Sequence, residues 1–390
     1  MHLALICNEY PPAPHGGIGS SSQDLAEGLV QAGHRVTVMG VYPNLTEAVS
    51  ETVRGAKIIR FPFKPCRWYR PGVYGNRWRL KRWLAKEHRQ TPFDLLLVPD
   101  YEGWLPWRSV RDLPVVAWLQ GSNYFFDTEL KRVGEACEHK MEQKTVRRAD
   151  YWLGLSQYVY DKTLQLCGTE PALGEIIPHA VDPTIFSPGP EPMEPGLIVF
   201  VNTVNTKKGV EQLIDAANLV FPSRPNSRLM LIGGSKTAPD SDGKTYLDKL
   251  RERIHPDNRA RVEFAGRMDR SAIIPWLRKA NVCCYPSHME TFGLAPVEAM
   301  SVGRATIYSR TGPGPEVVED GVSGLLCDTA NPRDIAAKIG QILDQPALAE
   351  SLGRAGRQRV LERFDKTKWI AAHLEFYAKC IADFKKRRAS

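Results

Sequence analysis

The feature that most constrains this 390-residue chain is a regular alternation of short apolar runs with longer segments of helical periodicity. The runs LALIC at 3–7 and LIVFV at 197–201 have the length and aliphatic content of buried strands. The segments between such runs place apolar residues three and four positions apart, which is typical of amphipathic helices. Strands that alternate with helices form parallel sheets covered on both faces, so we predict an α/β fold.

The predicted elements occupy most of the chain, and after residue 330 the pattern is helical only. The expected strands are 2–7, 35–40, 57–61, 94–98, 114–119, 151–155, 174–177, 197–202, 228–232, 261–265, 281–285, 305–309 and 324–327. The expected helices are 18–33, 75–90, 127–148, 156–167, 209–221, 244–254, 270–280, 293–303, 331–343, 346–363 and 366–387.

A proline-rich segment near the middle divides these elements into two groups. Proline removes a backbone donor and fixes φ, so residues 181–195 disfavour both helix and central strand. We expect a stiff hinge there, between a domain of residues 1–180 and a domain of residues 196–365. Each domain would hold a doubly wound sheet, and ligands of such sheets bind beyond the carboxyl ends of the strands. The cleft between the domains is the expected site.

The distribution of charge argues against a nucleic-acid-binding protein. The formal net charge is +8, from 52 Lys and Arg against 44 Asp and Glu. Residues 1–195 carry 22 of each sign, whereas residues 351–390 carry 11 cations and 4 anions. The excess therefore lies at the C-terminus rather than over a broad surface, and we expect no nucleic-acid partner.

Cysteine usage and hydropathy indicate a cytoplasmic protein. The eight cysteines form no CxxC pair, and the adjacent Cys283 and Cys284 lie in an apolar run typical of a buried strand. This pattern is that of a reducing compartment rather than of a disulfide framework or a metal site. The apolar residues 3–7 are too few for a signal peptide, and no uncharged run reaches the ~18 residues of a membrane span.

The first motif is PHGGIGSSSQ at 14–23, which follows the first predicted strand. Glycines allow a backbone to approach a ligand closely, and the amides at the start of the following helix suit an anion. A dinucleotide fingerprint would need a third glycine, but Gly17 and Gly19 are followed by Ser22 in that position. A loop that approaches phosphate or sugar is favoured over a dehydrogenase loop, and a purely structural turn remains open.

The second motif is ETFGLAPVE, in which Glu290 precedes a predicted helix and Glu298 lies inside it. Helical side chains lean toward the N-terminus, so Glu298 should point back toward Glu290. The helix start, at residues 292–294, offers unpaired amides and a positive dipole that favour phosphate. Carboxylates suit sugar hydroxyls as acceptors. The alternative is one helix-terminal and one surface glutamate without a shared role.

Two further groups follow strands of the second half. Lys208 precedes a helix at the carboxyl side of a strand, a suitable position for a diphosphate, although exposed lysines are common. Arg267 and Met268 follow the strand 261–265, where a nucleotide base would rest. The triplet 240–242, Asp-Ser-Asp, lies in a polar loop, and we expect no metal there.

Three stretches resemble the retaining, GT-B-type glycosyltransferases of family 4. The stretch RVEFAGRMDRSAIIPWLRKANVCCYPSHMETFGLAPVEAMSVGRATIYSRTGPGPEVVEDGVSGLL is similar to the donor-binding half of that family, and its two glutamates match the Glu-x7-Glu motif. The stretch IIPHAVDPTIF is similar to the hinge motif, and EYPPAPHGGIGSSSQDLAEGLVQAGHRVTV resembles the opening glycine loop. The resemblance implies two Rossmann-like domains and a last helix, 366–390, that packs back on the N-terminal domain.

The resemblance also implies roles for single residues. Glu290 would contact the donor sugar, Glu298 the ribose and Lys208 the diphosphate of a UDP- or GDP-sugar, without a metal ion. The implied catalytic residues are Glu290, Gly17 and Gln120. The implied donor-binding residues are Gly16, Gly17, Lys208, Arg267, Met268, Glu290, Phe292, Gly293, Leu294 and Glu298.

Two positions depart from the family pattern. Family members usually have Gly-Arg ahead of the lysine, whereas this chain has Asn202 and Thr203, so one cation is missing. Many members have a histidine where this chain has Gln120, which can bond a sugar but cannot carry a proton near neutral pH. A non-catalytic binding protein and a sugar-nucleotide epimerase of the same fold therefore stay open as alternatives.

The acceptor side is less defined. Asp100, Tyr101 and Glu102 follow the strand 94–98, and we expect them to contact a glycan, lipid-linked or small-molecule acceptor. Residues 54–89 hold twelve cations, one acid and the aromatics Trp68, Tyr69, Tyr74, Trp78 and Trp83. Such a segment suits the inner face of an anionic membrane, an anionic acceptor, or a solvated helix with tryptophans in the core. The basic C-terminal helix could join it in one basic face.

Overall fold

The computed structural model describes residues 1–14, 16–43, 45–65, 69–105, 107, 110–235 and 238–389. Trp68, considered above, lies outside these ranges, as do His15 of the PHGGIGSSSQ motif and Cys66 and Arg67 of the basic segment. The chain forms two compact units. The first comprises Met1–Pro178 with Thr367–Ser390, and the second comprises His179–Lys366. Both are Rossmann-like α/β units with parallel sheets.

The first unit is built on an eight-stranded sheet of order β3-β4-β2-β1-β5-β6-β7-β8. The strands are β1 (His2–Ile6), β2 (Arg35–Tyr42), β3 (Val49–Val53), β4 (Ala56–Pro62), β5 (Leu95–Pro99), β6 (Val115–Leu119), β7 (Tyr151–Gly154) and β8 (Leu173–Ile176). All neighbours pair in parallel except β3 with β4. The sequence did not predict β3 because its VSETV side chains are mostly exposed and show no apolar run.

In the described part of the first unit, five α-helices connect the strands. They are α1 (Gly17–Gln31), α2 (Tyr69–Gln90), α3 (Asn123–Glu129), α4 (Ala136–Arg148) and α5 (Gln157–Cys167). The single helix predicted over 127–148 is wrong, since α3 and α4 replace it. The backbone turns at Lys131, which has a φ of 51° that a continuing helix cannot contain. The Ser122 hydroxyl caps α3 by accepting from the Phe125 amide at 3.0 Å.

The second unit contains a six-stranded parallel sheet of order β11-β10-β9-β12-β13-β14. The strands are β9 (Leu197–Val201), β10 (Arg228–Ile232), β11 (Val262–Gly266), β12 (Val282–Tyr285), β13 (Thr306–Ser309) and β14 (Leu325–Cys327). The helices are α6 (Val210–Val220), α7 (Tyr246–Arg253), α8 (Arg270–Lys279), α9 (Leu294–Ser301), α10 (Gly314–Val317), α11 (Pro332–Asp344) and α12 (Pro346–Arg363). The short α10 was not predicted. The central strands β9 and β12 are buried throughout, as expected of strands covered on both faces.

The proline-rich segment 181–195 lies within the second unit, which begins at His179, and its role as a hinge stays a prediction. Phe186 is fully buried, and its carbonyl accepts from the Ser301 hydroxyl at 2.6 Å. Arg278 donates to the Ser187 carbonyl at 2.7 Å. Proline keeps the segment extended, and these side chains then attach it to the second unit.

The last helix, α13 (Lys366–Ala389), packs on the first unit. Gly28 of α1 leaves room for Ile370, because a Cβ at Gly28 would lie 2.4 Å from the Ile370 Cδ1. Further along, the Tyr151 hydroxyl donates to Asp383 at 2.8 Å. The basic end of α13 lines a cavity of about 500 Å³ that His88, near the end of α2, also lines. The ends of the two basic segments therefore come together.

Within the described ranges, every helix is too short or too polar to cross a bilayer.

Substitution of Gly28 tests the packing of α13. We expect Gly28→Val to destabilise the first unit by about 1–3 kcal/mol, because the added carbons overlap Ile370. Thermal unfolding followed by circular dichroism measures this. The matched control is Gly75→Ala in α2, where nothing lies within 4 Å of the added Cβ, and alanine should leave stability unchanged or raise it. Equal stability of both variants would contradict this packing.

Candidate functional site

In the second unit, two loops at the carboxyl edge of the sheet meet through a close backbone contact. Gly209 follows β9 with a φ of 66°, and a Cβ there would lie 1.9 Å from the Pro286 carbonyl oxygen. The His288 amide donates to the Lys207 carbonyl at 2.8 Å. Only glycine combines this φ with this approach. The β9 loop is thereby held against the β12 loop.

The contact brings Lys208 and Glu290 together. The Lys208 ammonium lies 2.5 Å from Glu290 Oε1, and the two side chains are only 15% and 12% exposed. The Ser287 hydroxyl donates to the same oxygen at 3.1 Å. Reduced solvent screening strengthens such a pair. The cation predicted for a diphosphate and the carboxylate predicted for a sugar are thus neighbours, although 82 residues separate them in the chain.

The start of α9 lies directly after Glu290. Gly293 precedes the helix with a φ of 97°, and a Cβ there would lie 2.3 Å from the Tyr308 hydroxyl oxygen. That buried hydroxyl donates to the Phe292 carbonyl at 2.9 Å. The amides that follow, up to Leu294, belong to the first turn, where backbone donors have no intrahelical acceptors. Tyr308 therefore fixes the entry of the chain into a helix start suited to an anion.

Glu298, in the second turn of α9, lies near the start of another helix. Its carboxylate accepts from Arg270 at 3.3 Å, and its side chain is 16% exposed. Arg270 opens α8, just after Arg267 and Met268 at the end of β11. Arg267 is exposed and Met268 is half-buried. The contact between Glu298 and Arg270 thus connects the segments after β12 and β11, which carry the residues predicted for ribose and base.

Asn202 and Thr203, the pair that replaces Gly-Arg of the family pattern, are hydrogen-bonded to each other. The Asn202 side chain accepts from the Thr203 amide at 2.9 Å. A Cβ at Gly233, after β10, would lie 1.8 Å from the Asn202 carbonyl oxygen. The Asn202 backbone thus packs tightly against the next loop, and Lys208 is the cation that this loop provides near Glu290.

In the first unit, the glycine loop is held by a carboxylate that the sequence argument missed. The Glu9 side chain accepts from the Gly16 amide at 3.2 Å and from the Gly19 amide at 2.6 Å. Gly17 begins α1, and a Cβ there would meet nothing within 4 Å. Glu9 thus takes the place at the helix start that we predicted for an anionic ligand. Its position between a strand and a glycine loop was the available signal.

Asp100 and Gln120 lie beside each other at the ends of the adjacent strands β5 and β6. The Asp100 carboxylate accepts from the Gln120 amide at 2.8 Å. The Gln120 side chain is 6% exposed and donates to the Ser21 hydroxyl of α1 at 3.4 Å. Burial raises the pKa of Asp100 to about 7, against the opposing effect of several backbone donors. Asp100 therefore supports the loops, because it is only 1% exposed.

The other two predicted acceptor residues follow Asp100 in a short 3-10 turn. Tyr101 is half-buried, and Glu102 adopts a φ of 60° while accepting from the Trp104 indole at 2.7 Å. The buried Glu142 of α4 accepts from the Glu102 and Asn123 amides at 2.9 Å. Burial raises the pKa of Glu102, and that of Glu142 to about 7. Glu142 was missed because its polar helix position resembles an ordinary surface glutamate.

His288 also has a supporting role in the second unit. Its ring nitrogens lie 3.1 Å from the Thr329 hydroxyl and 2.9 Å from the Gln212 side-chain oxygen. Burial lowers the pKa of His288, so the neutral ring is favoured. The loop that carries Glu290 is therefore tied to two other segments of its unit.

Among the described residues, no group of three or more His, Cys, Asp or Glu side chains is arranged to hold a metal ion. The aspartates of the 240–242 triplet instead contact Lys249, at 2.7 and 3.1 Å.

Models of two known protein families match this chain. Residues 181–359 match the family model "Glycosyl transferases group 1", and residues 15–185 match "Glycosyltransferase Family 4". Together the two models extend over nearly the whole chain. The chain belongs to the GT-B glycosyltransferases of family 4 type. As such, it is an enzyme that transfers sugars.

Related sequences include enzymes that differ in substrate. The chain is 27% identical to the glycogen synthase of Mycobacterium tuberculosis, over 94% of this chain and 91% of that protein. It is 28% identical to the D-inositol 3-phosphate glycosyltransferase of Kribbella flavida, over 55% of this chain and 53% of that protein.

Solved structures share the fold. A sucrose-phosphate synthase from Thermosynechococcus elongatus superposes with a TM-score of 0.82 at 23% identity, covering 98% of this chain and 99% of that one. Anabaena HepE, solved in complex with UDP and glucose, gives a TM-score of 0.76 at 17% identity, covering 97% and 100%. At these identities the similarity establishes the GT-B fold alone.

The raised pKa of Asp100 predicts a pH dependence of stability. An unfolded aspartate titrates near pH 3.9, whereas folded Asp100 titrates at about 7, so the folded chain holds an extra proton between these values. Stability from this group is therefore present at low pH and declines as the pH rises toward 7. Asp100→Asn retains the acceptor for the Gln120 amide but cannot ionise.

We expect Asp100→Asn to become more stable relative to the wild type as the pH rises. The difference between their melting temperatures should increase by on the order of 5 °C between pH 5 and pH 8. Thermal unfolding at several pH values measures the difference, with the exposed Asp161→Asn as control. A difference that stays constant with pH would show that Asp100 has the same charge in the folded and unfolded chain.

Proposed function

We propose that this enzyme transfers a sugar from a UDP- or GDP-sugar to a carbohydrate, lipid-linked or small-molecule acceptor, with retention of configuration and without a metal ion. The observation that carries the proposal is the contact between Lys208 and Glu290 beside the start of α9. It places a cation, a carboxylate and a helix N-terminus at one sheet edge. The cation and the helix N-terminus suit the diphosphate of a nucleotide sugar, and the carboxylate suits its sugar hydroxyls.

Cleavage of the bond between the sugar and the β-phosphate oxygen leaves one further negative charge on the diphosphate, and the second unit offers positive groups for it. The Lys208 ammonium has three donors, of which Glu290 takes one, so donors remain for phosphate oxygens. The amides of Phe292, Gly293 and Leu294 add the dipole of α9. Fixed donors of this kind stabilise developing charge in place of a metal ion.

The two glutamates would bind different parts of the donor, Glu290 the transferred sugar and Glu298 the ribose. Glu290 accepts from Lys208 and Ser287 through one oxygen, and its other oxygen is suited to a sugar hydroxyl. Glu298 accepts from Arg270 and would also accept from a ribose hydroxyl. Arg267 and Met268 would lie beside the base. The complex of Anabaena HepE with UDP and glucose supports a uridine nucleotide as the first donor to test.

The first unit would hold the acceptor. Tyr101 and Glu102 are its predicted contacts, whereas Asp100 is buried beneath them. Gln120 would donate a hydrogen bond to a sugar. If the nucleotide leaves and the acceptor attacks on the same face of the donor sugar, configuration is retained and no protonated group is required at this position. Gly16 and Gly17 would contact the donor through their backbones. Glu9 would then give up its hydrogen bonds with the Gly16 and Gly19 amides, which would be available to the donor.

The cytoplasm is the proposed location. The seven cysteines described by the structure are all free thiols, and six of them are buried, which supports a reducing compartment.

Two substitutions separate donor binding from turnover. Lys208→Ala should weaken UDP or GDP binding by about 10- to 100-fold, because a charge-assisted contact to phosphate is lost. Glu290→Gln should keep nucleotide binding but lower turnover by about 100-fold, since its charge would no longer act on the reacting sugar. Calorimetric titration and nucleotide release from UDP- and GDP-sugars measure the two effects.

The matched control is Lys279→Ala, whose ammonium pairs with Glu194 at 3.4 Å near the end of α8. Wild-type behaviour of both site variants would disprove the assignment. Wild-type protein that binds nucleotide but never turns over is a binding protein instead. A donor sugar that changes without any acceptor would identify an epimerase.

A further inference from the structure

A groove along α2 of the first unit is lined almost entirely by cations and tryptophan. It has a volume of about 460 Å³. Its aromatic residues are Trp78 and Trp83. Its cationic residues are Lys64, Arg79, Arg82, Lys86 and Arg89. Neither the proposed donor site nor the proposed acceptor residues use this groove.

The cations form a row. Arg82, Lys86 and Arg89 follow Trp78 at steps of three or four residues, so they lie along one face of the helix, about one turn or 5 Å apart. Among the residues that the structure describes, the lining contains no carboxylate. The acid of α2, Glu87, pairs outside the groove with Lys57 at 3.1 Å. The row therefore favours a ligand with several regularly spaced negative charges.

Trp78 provides a flat surface within this row. Trp78 is 50% exposed, and the Arg82 guanidinium lies 4.7 Å from the centroid of its ring. A guanidinium over an indole ring gives a rigid platform that combines charge with an apolar face. The apolar C–H face of a sugar ring packs well on such a platform, while its charged substituents reach the neighbouring cations.

The wall of the groove is preformed. Trp83 stacks on Phe61 of β4, with ring centroids 4.0 Å apart and an interplanar angle of 5°. The buried Asn76 side chain accepts from the Lys64 amide and donates to the Lys64 carbonyl, both at 2.9 Å. The segment after β4 is thereby fixed to α2. A ligand would meet little loss of side-chain entropy at this wall.

We propose that the groove binds an anionic glycan, a carbohydrate chain bearing carboxylate, sulfate or phosphate groups, as the acceptor of the transfer. The acceptor role rests on the function proposed above. Lys64 follows β4, which runs parallel to β2, and β2 runs parallel to β1 and thus to β5. The groove therefore starts at the sheet edge where Tyr101 and Glu102 follow β5.

The observations favour a glycan over a membrane or a nucleic acid. Insertion into a bilayer needs several exposed apolar side chains, and within the described side chains of α2 Trp78, at 50%, is the one exposed large apolar group. Successive nucleic-acid bases need several free aromatic faces, whereas one face of Trp83 is covered by Phe61. A concave surface with one exposed platform suits a sugar chain.

The test measures binding of the full-length protein to alginate oligosaccharides, heparin and neutral dextran, by calorimetry at 50 and 300 mM NaCl. We expect the anionic glycans to bind, more weakly at higher salt, and dextran not to bind. Arg82→Gln, Lys86→Gln and Trp78→Ala should each weaken alginate binding by about five-fold, and Trp78→Phe should recover most of it. Lys81→Gln on the same helix lies outside the groove and should bind like the wild type.

Three results would overturn the assignment of the groove to an anionic glycan. They are no binding of anionic glycans, an equal weakening of alginate binding by Lys81→Gln, or tighter binding to phosphatidylglycerol vesicles or poly(dT) than to alginate. Thermal unfolding of each variant confirms that it is folded. Wild-type protein that transfers sugar to neutral acceptors and ignores alginate would overturn this inference alone. Wild-type protein that binds alginate but neither binds nor turns over nucleotide sugars would overturn the proposed function, and with it the acceptor role.

Discussion

The proposed donor site depends on one close backbone contact, that of Gly209 with the Pro286 carbonyl. A side chain at Gly209 would overlap that oxygen, and its φ of 66° would be strained in other residues. The contact holds the loop after β9 against the loop after β12, so that Lys208 meets Glu290 at 2.5 Å. Without it, neither a poised cation nor an oriented carboxylate would exist beside α9. Charge placement here follows from backbone geometry.

The first unit is organised differently, around carboxylates that accept from backbone amides. Glu9 holds the start of α1, Asp100 connects the ends of β5 and β6, and Glu142 supports the turn at Glu102. For the buried Asp100 and Glu142, these bonds compensate part of the cost of burying the carboxyl group. These acids fix the loops on which Tyr101, Glu102 and Gln120 lie. The groove along α2 is the opposite case, because its cations face solvent without carboxylate partners in the lining.

Most strands and helices could be predicted because their signals are local. The run LIVFV at 197–201 and the periodic helix of residues 346–363 lie where the sequence placed them. The failures arose where the signal was weak or tertiary. Strand β3 has exposed side chains and forms by pairing with β4, and the break at Lys131 follows from a positive φ.

The sequence alone determined the fold class and the identity of the candidate donor residues, because apolar periodicity and the spacing of Glu290 and Glu298 are properties of short segments. Only the tertiary structure decided which groups face each other. It paired Lys208 with Glu290 across 82 residues, placed Glu9 at the glycine loop, buried Asp100 and left Trp78 exposed among cations. The physical reason is that burial and charge pairing depend on strand order and loop approach, which local patterns do not encode.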